Sequence, residues 1–204
     1  MRIALLLTVV LAGAAAAQDP ERDVDGLAAH TFTRADVPVR LALSRVRAAY
    51  VAAVDEPSAI DVGLAHVAGL DRGSAPEGLL RAYEGAFTML RARHAFWPRA
   101  KWRHAQDGLA ILDRAVAFDP DHAEVRYLRL VSSYYLPFFF GRGDAVAEDF
   151  AALAGLLPAV RDDYPEDWYE GVVRFVVEHG GVSGDRRRAL LDVLDEEPAR
   201  AENP

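Results

Sequence analysis

From residue 36 onward the apolar side chains recur every third or fourth position, and no stretch alternates apolar and polar residues between hairpin turns. That spacing puts them on one face of an α-helix; a half-buried strand needs a period of two. Leu43, Val46, Tyr50 and Val54 form the first run, and Ile60, Leu64 and Val67 the second. Leu79, Leu80, Tyr83, Phe87 and Leu90 follow behind Pro76. A fourth run has two stripes, one of Trp102, Ala105, Leu109, Leu112 and Val116 and one of Gly108, Ile111, Ala115 and Phe118. Two stripes imply a helix covered from two sides.

Breaks between runs fall where the backbone chemistry demands them. Proline cannot continue a helix, so the fourth run stops at Asp119-Pro120 and the fifth (Val125, Tyr127, Leu128, Leu130, Val131, Tyr134) at Pro137. Residues 141–143 interrupt the chain before a sixth run with Val146, Phe150, Leu153 and Leu157. Pro165 opens a seventh (Trp168, Val172, Phe175, Val176), and Ser183 begins an eighth with Leu190, Leu191 and Leu194. Ser58 with Asp61, and Asp121 with Glu124, have the spacing of capping boxes. Helices this short are marginal alone, so their apolar faces must pack on one another. Short connectors favour antiparallel neighbours. The expected fold is all-α, with about eight helices in antiparallel pairs.

Composition and the N-terminus suggest a compartment. Residue 2 is arginine, residues 3–11 are apolar apart from Thr8 and residues 13–17 are small, the pattern of a secretory leader. We therefore expect a signal peptide at 1–17, a flexible segment at 18–35, one helical domain at 36–197 and a disordered tail at 198–204. The product is expected to be exported to the periplasm or beyond, with no stable membrane insertion once the leader is removed. The chain has no cysteine, which removes disulfides, thiolate metal sites and cysteine nucleophiles. A net charge of −8 with a single lysine speaks against nucleic-acid binding. Six histidines show no metal-binding spacing, and no phosphate loop, dinucleotide fingerprint or nucleophile elbow is present. No cofactor, metal or catalytic residue is expected from these patterns.

Gly108, Leu112, Ala115 and Pro120 resemble the second half of the tetratricopeptide pattern, with Leu80, Tyr83 and Gly85 a loose echo of the first. In that family small residues admit the partner helix and proline ends the unit. The resemblance implies pairs stacked as a short TPR-like or irregular α-solenoid. The run from Lys101 through Asp119-Pro120, residues 124–130 and Pro137-Phe138 to Asp149 also resembles an uncharacterised family of small exported bacterial helical proteins. That second resemblance implies export and a helical fold, and no particular chemistry.

Two clusters stand out as candidate sites. On the fifth helix His122, Arg126, Arg129 and Ser133 share a face, and Glu124, Glu148 and Asp149 are the nearest carboxylates by topology. One reading is an arginine–carboxylate lock between helices; the other is a strip that binds an anionic ligand. The second cluster is Tyr134, Tyr135, Phe138, Phe139 and Phe140 around Leu136-Pro137. These rings either fill a core or present a patch for a peptide, an apolar ligand, a second copy or a membrane. Trp97, Trp102 and Trp168 are expected in the core. The leading functional expectation is a scaffold or protein/peptide-interaction module, as monomer or homodimer. The alternatives are an envelope carrier of a small apolar or anionic ligand, with a pocket facing Arg126 or Arg129, and an enzyme without a recognisable motif.

Overall fold

A computed structural model describes residues 36–70 and 75–195 of the chain. The leader at 1–17, the segment at 18–35 and the tail at 198–204 lie outside the described residues. Among those described there are eight α-helices and no strand. They are α1 (Asp36–Ala52), α2 (Ser58–Gly69), α3 (Glu77–His94), α4 (Pro98–Phe118), α5 (Ala123–Tyr134), α6 (Gly143–Leu156), α7 (Glu166–His179) and α8 (Gly184–Asp195). Three single 3₁₀ turns fill the joints at Phe138–Phe140, Leu157–Ala159 and Arg161–Asp163. The all-α expectation holds.

Sequential helices touch, most extensively α3 with α4 and α5 with α6; α3 and α4 run antiparallel, with Gly78 beside Asp119 and Gly85 beside Leu112. The α3–α4 pair is drawn together by two glycines. A Cβ added at Gly108 would lie 2.9 Å from the Gly85 carbonyl oxygen, and one at Gly85 would lie 2.8 Å from Leu112 Cγ. Small residues are required here because the two backbones nearly touch.

The apolar faces gather into two cores. The first joins α1 to α4, with Leu79, Tyr83, Phe87 and Leu112 among its largest members; Val125 and Leu128 of α5 complete it. The second joins α6, α7 and α8 around Phe150, Leu153, Tyr169 and Phe175, and is completed by Ala123 and Leu130 of α5. Helix α5 therefore stands between the cores, and eight of its twelve residues are buried. That position explains why its charged residues cannot all reach water.

Several local expectations need correction. Neither capping box forms: Pro57 and His122 hold the N-cap positions of α2 and α5 and make no side-chain cap. Glu124 is instead drawn into the interior by partners described below. Trp97 and Trp102 are not core residues; they are 70% and 48% exposed. Trp168 is half-buried against the second core, stacked on Tyr164. Phe118, at the end of the second stripe of α4, is exposed beneath the Arg81 guanidinium.

Candidate functional site

Of the two expected clusters, the one on α5 resolves into two separate charge sites. On the side facing the first core, fully buried Glu124 accepts a fork from Arg47 of α1, at 2.8 Å from Nε and 2.7 Å from Nη2. The Tyr83 hydroxyl of α3 donates to the same carboxylate. The Arg47 guanidinium also lies 5.6 Å above the Tyr164 ring centre. Burial opposes the charge on Arg47, but the hydrogen bonds and charge of Glu124 outweigh it and hold the guanidinium above its ordinary value. Burial, reinforced by the Glu124 charge, pushes the Tyr83 phenol well above its ordinary value, and burial pushes Tyr50 up to about 12.

On the other side, Arg126 and Arg129 meet α6. Arg129 forks onto Asp149 (Nε 2.8 Å, Nη2 2.7 Å) and its Nη2 also donates to Glu148 at 2.8 Å. Arg126 donates to Glu148 at 2.8 Å, to Asp149 at 3.1 Å and to the Pro120 carbonyl at 2.7 Å. Arg142 forks onto Asp113 of α4 at 2.7 and 2.9 Å and reaches Ser133 at 3.3 Å. Three arginines thus face three carboxylates across α4, α5 and the start of α6. Asp149 is fully buried and Glu148 half-exposed. Burial accordingly pushes the Asp149 carboxyl up against its arginines, whereas hydrogen bonds from Arg126 and Arg129 hold Glu148 below the usual carboxylate value.

These contacts have the form of a lock: Arg126 and Arg129 are each matched by carboxylates of α6. The carrier reading predicted a pocket facing these arginines. The two surface clefts described lie elsewhere, one of about 490 Å³ between α2, α3 and α4 and one of about 290 Å³ beside Trp97, Arg99 and Arg103. Among the described residues no group of His, Asp or Glu has the arrangement of a metal site.

The aromatic stretch divides. Tyr134 turns inward, edge-on to Phe150 and Phe175, and both Tyr134 and Tyr135 pack on the second core. Phe138 and Phe139 point outward, Phe138 with 93% of its surface exposed. Gly141, at φ 64°, closes the 3₁₀ turn in the left-handed region where a side chain would be strained. Phe140 and Phe139 lean on Trp102, with ring centres at 4.8 and 6.2 Å. Phe96 and Trp97, in edge contact at 5.2 Å, are exposed on the α3–α4 connector just before Trp102. The N-terminal end of α4 therefore carries an exposed aromatic tip of two ring groups, Phe96 with Trp97 just before the helix and Phe138 with Phe139 against Trp102 in its second turn.

Sequence reasoning found the phenylalanines and missed the rest of this tip. A signal was present: from residue 85 to 106 there is no Asp or Glu, while Arg91, Arg93, Arg99, Lys101 and Arg103 all fall there. Arg91 and Arg93 pair with Asp61 and Asp55. Lys101 donates to the Arg93 carbonyl at 3.0 Å, closing the end of α3. Arg99 and Arg103 are exposed, one turn apart, on one flank of Trp102.

No protein-family model, curated protein or solved structure matches the chain.

Proposed function

We propose that the protein is an exported helical scaffold that works by docking, and that the docking surface is the tip formed by Phe96, Trp97, Trp102, Phe138 and Phe139. A TPR-like stacking of helix pairs would serve such a role, since it holds a surface on a rigid frame. The observation that carries the reading is the cost of the tip to a chain free in water. Five large aromatic side chains remain exposed at one end while smaller apolar residues elsewhere are buried. The arginine strip of α5, by contrast, is occupied by its own carboxylates and serves the frame.

The absence of cysteine makes the test clean. Phe138→Cys and, as a control on α2, Val62→Cys each introduce a single thiol at an exposed position. Labelling by an impermeant maleimide is compared between intact cells and purified protein. Docking predicts that position 138 is labelled several-fold more slowly in cells while position 62 is unchanged. Equal rates at both positions would remove the proposal.

A further inference from the structure

Resting on the docking reading, we infer that the tip is a peripheral membrane-binding surface for an anionic lipid bilayer. Three features of the tip select this occupant. The first is shape. The rings sit on a connector and a 3₁₀ turn, with Phe96 and Phe138 83% and 93% exposed. Neither of these two borders a cleft described above, and Trp97 alone edges the smaller one, so the rings suit a deformable apolar layer better than a peptide strand or helix.

The second feature is charge. Arg99, Lys101 and Arg103 occupy the first two turns of α4, where no acidic residue stands in the opening turn. Cations at the positive end of a helix disfavour the fold slightly, and here the described residues offer Arg99 and Arg103 no carboxylate. The rest of a chain of net charge −8 is repelled by an anionic surface, so such a surface meets the protein tip first. The third is the combination itself. Tryptophan and phenylalanine settle at the boundary between acyl chains and headgroups, while arginine and lysine reach back to phosphate. A two-fold dimer through the same tip would set these cations against their copies.

Tryptophan fluorescence reads the tip directly. Trp97 and Trp102 belong to it, Trp168 is packed against Tyr164, and residues 1–35 contain no tryptophan that could report on the leader. The full-length chain is titrated with vesicles of phosphatidylcholine alone or with about 30 mol% phosphatidylglycerol, including a brominated lipid. We expect a blue shift and bromine quenching with the anionic vesicles, at an affinity at least about tenfold above that for phosphatidylcholine. The double variant Arg99→Gln/Arg103→Gln should lose about tenfold of that affinity, and added salt should weaken binding. Phe138→Ser/Phe139→Ser should abolish the quenching with an unchanged thermal midpoint. Absence of quenching with anionic vesicles, or quenching that survives both double variants, overturns the lipid assignment. So does a dimer in sedimentation that Phe139→Ser dissociates without any lipid binding. Protection of position 138 in cells would, in either case, leave docking standing with a protein as its partner; loss of protection would remove both.

Discussion

The two faces of α5 solve the same problem in different ways. Toward the first core a single carboxylate, Glu124, serves one arginine and one tyrosine whose sequence positions lie 77 and 41 residues away. Toward the second, three carboxylates on α4 and α6 share Arg126, Arg129 and Arg142, and each arginine has more than one acceptor. The first site has a hub: its loss leaves a guanidinium and a phenol without their partner. In the second, removal of one member leaves others within reach. A buried ion pair is costly mainly when it is half-removed, so the single hub should be brittle and the shared network tolerant.

Substitutions can break that contrast. Glu124→Ala should lower the unfolding free energy most, by about 4 kcal/mol in a denaturant titration, since it strands Arg47 and Tyr83. A loss below about 1 kcal/mol would show that Arg47 simply turns to solvent. Arg129→Ala should cost less, about 3 kcal/mol, because Asp149 keeps Arg126. If it exceeds Glu124→Ala, the ranking of the two sites is reversed.

The pH dependence should sharpen the same contrast. Tyr50, Tyr83 and Tyr164 all lie on the Glu124 side, with their phenols held above the ordinary value of 10.0 chiefly by burial. In the unfolded chain each ionises near pH ~10, and folding then requires reprotonation. Stability is thus complete below pH ~10 and falls as pH rises toward the folded value, by up to about 1.4 kcal/mol per unit for each phenol. Absorbance of tyrosinate should appear together with unfolding, and Tyr83→Phe should make the fall shallower; tyrosinate rising before unfolding would contradict this.

The network beside α6 should instead respond to acid. Glu148, held low by its arginines, contributes stability above its unfolded value that is lost as pH falls through the folded one. Glu148→Gln should reduce the acid slope, measured by thermal melts. The smallest effect belongs to Asp113→Asn, under about 1 kcal/mol, since its side chain is 43% exposed and the remaining carboxylates still hold Arg129.

The contrast also shows which contacts a reader of residues alone can recover. Asp149 and Glu148 lie within 23 residues of their arginines on the next helix, so helix spacing and short connectors suffice to name them. Tyr83 reaches Glu124 because α3 packs against α5, and Arg47 because its long side chain extends there from α1; periodicity does not encode which non-neighbours meet. Helix spacing therefore identifies Glu124 as a charge on α5 but not its partners Arg47 and Tyr83. The eight helices were legible because proline and glycine punctuate a sustained spacing. The tryptophans misled for a physical reason: apolar area predicts burial only when some other surface is available to cover it.

The near-contact of Gly85 with Gly108 has a mechanical consequence. Two backbones that close together cannot slide without a steric clash or splay without losing their close packing, so α3 and α4 behave as one stiff strut. At 21 residues, α4 spans about 30 Å from Pro98 to Phe118. Whatever grips the strut at Trp102 holds the Asp119-Pro120 bend at a constant stand-off of about 25 Å.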